Sequence, residues 1–75
     1  MKTKNFDLTG AIIEYEGGEL NDTNTLYLFS KLVKTGQAWS LQGHYGRTAS
    51  ALIQDNFLTS TGELTDKAQE FIVNN

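Results

Sequence analysis

The apolar residues of this chain recur at helical spacing from one end to the other, which commits it to short helices packed on one another. Asp7 is a natural N-cap, since its carboxylate can accept amide protons of the first turn, and Leu8, Ala11, Ile12 and Tyr15 follow at intervals of three and four until Gly17-Gly18. The spacing predicts a first helix over 8–16. Asn21 or Asp22 caps a second, over 23–35, in which Leu26, Phe29, Leu32 and Val33 form one stripe and Gly36 stands where a left-handed residue ends a helix. After a connecting stretch from Gln37 to Gly43, the residues Tyr45, Ala49, Leu52 and Ile53 predict a third helix over 44–55, closed at Asn56. Thr65 caps a short last helix with Ala68, Phe71 and Ile72 inward. The expectation is a mainly α, compact four-helix domain with a helix-turn-helix-like centre. The segments 57–59 and 63–64 flank a glycine-containing turn and offer a small C-terminal hairpin as a variant.

Size sharpens this reading. Seventy-five residues make one domain, 1–75, with no internal repeat and no linker. A chain this short buries only about 60% of the surface its unfolded form exposes, so nearly every large apolar side chain must join one core. There is no cysteine, which excludes the disulfide-stapled secreted scaffold and any thiolate metal site. No apolar run approaches the roughly 18 residues of a membrane span, and the start does not read as a signal peptide, so a cytoplasmic protein without a membrane partner is expected.

Charge varies by segment more than in total. The start carries Lys2 and Lys4; residues 7–22 carry Asp7, Glu14, Glu16, Glu19 and Asp22 with no base; residues 31–54 carry Lys31, Lys34 and Arg47 with no acid; from Asp55 onward four acids face Lys67 alone. The net charge of −3 therefore hides one basic stretch in the middle of an acidic chain.

Catalytic readings lack residues. His44 is the single histidine, so a nucleophile relay would need its serine and its acid gathered at that one place. Glu14 and Glu16 lie about 200° apart on a helix and cannot act as a pair. Gly17-Gly18 follows a helix instead of opening one and has no lysine behind it, so it makes no phosphate cradle. The expectation is a protein that is not an enzyme and needs no cofactor and no metal.

The stretch 38–49 concentrates the sole tryptophan, histidine and arginine with a tyrosine and two glycines at a helix entrance. One reading has Trp39 and Leu41 capping the core while Gly43 and Gly46 permit a sharp turn and a close helix approach. The other keeps that backbone and exposes Trp39, Gln42, His44, Tyr45 and Arg47, a composition favoured at binding hot spots. Two nucleic-acid templates also bear on it. In a helix-turn-helix, the second helix enters the major groove by its N-terminal residues, here Gly46 to Ser50 with Arg47 and Gln42 as contacts. Against it stand a connection of about seven residues where the motif has three or four and too few cations for a duplex. Gly43-His44-Tyr45-Gly46 also fits the G-x-x-G loop of the KH module, but the sheet that module needs is missing.

The run Leu32-Val33-x-Thr35-Gly36-x-Ala38-Trp39-x-Leu41-Gln42-Gly43-x-Tyr45-Gly46-Arg47-x-Ala49-x-x-Leu52-Ile53, with the lead-in from Asp7 to Glu16, resembles a family of small uncharacterised proteins of tailed bacteriophages. The similarity spans residues 7–58. It implies a phage gene product made in an infected bacterial cell, and lends no activity or mapped site. The resulting expectation is a non-catalytic accessory protein that binds and modulates a host or phage protein through Trp39, Gln42, His44, Tyr45 and Arg47. A helix-turn-helix-like DNA-binding regulator, dimeric because one basic helix is too little, is the alternative, and a sponge for a nucleotide signal is a third reading. A homodimer would also relieve the size limit on the core.

Overall fold

Three side chains begin three helices by the same chemistry. The Asp7 carboxylate accepts the Gly10 amide proton at 3.1 Å, the Asn21 side-chain carbonyl accepts that of Asn24 at 2.8 Å, and the Thr65 hydroxyl accepts that of Ala68 at 3.2 Å. Each satisfies a donor that finds no acceptor inside its own helix. In the computed structural model, which describes residues 7–74, these caps open α1 (Leu8–Glu16), α2 (Asp22–Thr35) and, after two intervening helices, the last one, α5 (Asp66–Val73).

The two between are α3 (Gln37–Ser40) and α4 (Gly43–Gln54), so the described residues hold five helices where the spacing predicts four. The stretch 37–43, expected to connect, contains a helical turn of its own. Gly36 takes the left-handed conformation, φ 83°, and ends α2 as anticipated. Its carbonyl then accepts the amide of Trp39 at 3.2 Å, and the Gln37 carbonyl accepts that of Leu41 at 3.0 Å, so the chain re-coils as soon as it has turned. Asn56, φ 66°, ends α4 in the same way, with the Phe57 amide reaching back to the Leu52 carbonyl at 2.9 Å.

The C-terminal hairpin does not form. Among the described residues there is no strand, and the segment reduces to one antiparallel bridge between Leu58 and Leu64. On one side of the bridge, Asn56 is already in its helix-ending turn; on the other, Thr65 is already capping α5, so neither run has room to extend. Short as it is, the bridge holds Leu58, 1% exposed, inside the core.

α2 is the axis of the molecule, in contact with α1, α3 and α5. Leu28, Phe29 and Ser30 are consecutive and all buried, an arc of about 200° at 100° per residue. Phe29, Leu28 and Leu32 pack with Tyr45 of α4 and Leu58 as the largest fully buried side chains. Ser30 is the polar member of this surface, and its hydroxyl donates to the Gly62 carbonyl at 2.6 Å. No helix among the described residues is long and apolar enough to cross a membrane.

Gly62 is buried with φ 96°, and a Cβ there would lie 2.8 Å from the Ser30 carbonyl oxygen and 2.9 Å from the Lys34 amide nitrogen. Both obstacles are backbone, and neither can swing aside. Gly62→Ala is therefore expected to cost at least about 2 kcal/mol of folding stability, combining left-handed strain with the clash, and Ser30→Ala about 1–2 kcal/mol through an orphaned carbonyl. Urea denaturation followed by circular dichroism measures both, and the order Gly62→Ala worse than Ser30→Ala is the point at issue.

Candidate functional site

α4 has two faces with different chemistry. Tyr45 and Ala49 turn inward and are fully buried, while Gly43, Arg47, Ser50, Ala51 and Gln54 recur on the outside. This splits the five candidate residues.

Tyr45, expected on a binding surface, is 1% exposed and part of the core. Its ring packs at centroid distances of 5.5 Å from Tyr15 and 6.0 Å from Phe29. A buried phenol needs a partner, and the Tyr45 hydroxyl donates to Glu16 Oε2 at 2.5 Å. Burial first, then the hydrogen bond to Glu16 and the nearby negative charge, hold the Tyr45 phenol far above its ordinary pKa of 10.0. Glu16, which the sequence offers as part of an acidic cluster, thus joins the end of α1 to α4. His44 goes with the same seam: half-buried, its ring lies 4.3 Å from that of Tyr45 and stacks on Tyr15 at 6.1 Å with 25° between the planes. Tyr45 and His44 therefore belong to the α1–α4 contact.

Trp39 and Arg47 meet on the other side. Trp39 is 52% exposed, so it does not cap the core, and Leu41 beside it is 39% exposed. Trp39 and Arg47, with Gly43, Gly46, Ser50 and Gln54, line an open groove of about 460 Å³ between α3 and α4. Gln42 is exposed at the α3–α4 corner, as the N-cap residue of α4, and its side chain makes no cap hydrogen bond. Gln54 is absent from the candidates that composition singles out; its signal is spacing, at i+7 from Arg47. Nor does the sequence show which way Trp39 faces, because one turn of helix can present it either way.

The groove carries one charge. Among the described residues the side-chain ion pair is Lys34–Glu63 at 3.8 Å, and Arg47 has no acidic partner. Residues 37–54, all of α3 and α4, contain no Asp or Glu. A smaller hollow of about 180 Å³, between α2, α4 and α5, is apolar apart from Asp22 and Thr25. Among the described residues no group of three or more His, Cys, Asp or Glu is placed to hold a metal ion.

The whole of this architecture, from α1 to α5, falls within one family match. The chain belongs to the family "Domain of unknown function (DUF7417)", matched over residues 2–75. No curated protein and no solved structure matches it. The DUF7417 description assigns no activity, so the reading of the groove rests on its own residues.

Gly46 is the least expected of them. Glycine inside a helix costs about 0.5–1 kcal/mol relative to alanine. At Gly62 the packing leaves no alternative, but at Gly46 a Cβ would meet the Ala38 carbonyl oxygen at 3.5 Å and Trp39 Cε3 at 3.6 Å, ordinary van der Waals contacts. This chain thus forgoes helix stability at a position against the indole ring where a methyl group fits.

Gly46→Ala is accordingly expected to stabilise the protein by about 0.5–1 kcal/mol, a rise of several degrees in Tm for a domain this size, read by thermal denaturation. Tyr45→Phe tests the seam. A group whose pKa is raised on folding lends stability that is fully present below its unfolded value and is lost as pH rises toward the folded one. The wild-type protein should therefore lose stability above about pH 10, where the unfolded tyrosine ionises. Tyr45→Phe should be less stable at neutral pH by about 0.5–1.5 kcal/mol, the worth of one hydrogen bond, and should show a shallower alkaline loss. Urea titrations at neutral and alkaline pH compare the two.

Proposed function

We propose that this DUF7417 protein is a non-catalytic accessory protein of a tailed bacteriophage that docks on a host or phage protein and modulates it. The face that docks is α3–α4, with Trp39, Gln42 and Arg47 as its contacts. The observation that carries the reading is the half-exposed Trp39 beside Arg47, which has no acidic partner among the described residues, over an open groove. A large indole left in water forgoes burial worth about 2 kcal/mol or more, and tryptophan and arginine lead the residue types that dominate binding energy. The acidic α1 lies behind α4, across the Tyr45–Glu16 bond, where its carboxylates do not compete for Arg47.

A helix-turn-helix-like DNA-binding regulator is the second reading, and the outward stripe of α4 favours it. Arg47, Ser50 and Gln54 are types that read base edges, and no acid interrupts them. The docking reading stands ahead because α3 is a single turn of four residues and one arginine neutralises little phosphate. Either way the site of action is the cytoplasm of the infected cell.

Affinity capture from host-cell lysate, with and without nuclease, separates the two. Capture of one protein independent of nuclease, abolished in Trp39→Ala/Arg47→Ala with unchanged helical circular dichroism, is the expected result. Recovery that disappears with nuclease, or that survives the double substitution, rejects the docking face.

A further inference from the structure

The groove is specific enough to say what chemistry it takes. Its wall is the Trp39 indole, its floor is Gly43 and Gly46, and its one charge is the Arg47 guanidinium. Arg47 folds back over the first turn of α4, so that a Cβ on Gly43 would lie 3.1 Å from Arg47 Nη1. Arg47 is exposed, and its guanidinium lies at the Gly43 end of the groove. Within residues 37–54 nothing offers it a carboxylate, although the chain as a whole is acidic and has carboxylates to spare. The acid-free run extends over residues 23–54 and holds Lys31 and Lys34 besides Arg47, and of these Lys34 is paired with Glu63.

Resting on the docking reading above, we propose that this groove recognises an acidic peptide segment of the partner, a carboxylate on Arg47 with an adjacent aliphatic or aromatic side chain against Trp39. A guanidinium presents paired N–H donors that match one carboxylate in a fork geometry. A single cation suffices for one carboxylate, whereas a nucleic-acid backbone presents a row of phosphates and draws its affinity from several cations at once. The adjacent apolar side chain supplies the burial that Trp39 lacks, in the manner of a segment anchored in a groove.

The test is selection from a display library of random linear peptides on the whole protein, followed by titration of a synthesised winner using Trp39 fluorescence, an unambiguous reporter because it is the sole tryptophan. Selected peptides should share an Asp or Glu next to a large apolar residue, and selection on Arg47→Glu should replace that acid with Lys or Arg. For the winner, Arg47→Ala should weaken binding about tenfold or more, the loss expected of a close charge pair. Replacement of the peptide's acid by its amide should do the same, and the two losses together should not add. Winners without a shared acid, indifference to Arg47, or an empty selection overturn the proposal. If binding then still depends on Trp39, or a lysate protein is still lost in Trp39→Ala, the docking face stands and only the carboxylate is wrong. If duplex DNA quenches Trp39 where no peptide does, the docking reading falls with it.

Discussion

The fold hangs on the burial of α2 around most of its circumference. A helix in a small domain ordinarily hides one stripe, but Leu28, Phe29 and Ser30 are buried in succession, so partners must come from several directions. α1 and the α3–α4 unit supply two. The third side, where Ser30 faces, is closed by a turn whose Gly62 alone can come close enough, and whose carbonyl takes the serine proton. A polar group at that place in the core would be costly without this acceptor. With it, the apolar surface is sealed and the Leu58 side chain is carried inside.

The same economy governs α4. Its inner face is fixed by aromatic packing and by the Tyr45–Glu16 hydrogen bond, which ties it to the acidic first helix. Its outer face is free of such duties and free of acid. Charge and packing are thereby separated across one helix about 10–12 Å wide: carboxylates behind, guanidinium and indole in front. The glycines divide along the same line. Gly62 is demanded by the backbone around it, while Gly46 is not.

Much of this is legible in the sequence. The caps at Asp7, Asn21 and Thr65 and the left-handed stops at Gly36 and Asn56 act through local chemistry that side-chain type alone announces, so the helix boundaries follow. α3 is not legible, because Gln37-Ala38-Trp39-Ser40 is too short to show a period. The hairpin fails for a related reason: spacing marks two short runs, but the turn at Asn56 and the cap at Thr65 have already claimed their ends. At the candidate site, composition finds Trp39, Gln42 and Arg47 yet does not sort them from Tyr45 and His44. A tyrosine next to a glycine and an arginine looks like a surface residue until α1 places Glu16 within reach of its hydroxyl.

The order of the elements along the chain has a kinetic side. Wall and floor of the groove come from neighbouring residues, α3 running almost directly into α4, so the face assembles through short-range contacts that close on the timescale of helix formation. The Ser30–Gly62 contact joins positions 32 apart and requires a long loop to be closed first, a step that chain entropy slows. A nascent chain can therefore shape its outward surface while one side of α2 is still wet. Between those two moments the apolar side of α2 is the stretch most exposed to unwanted association, and the turn at Gly62 is what ends that interval.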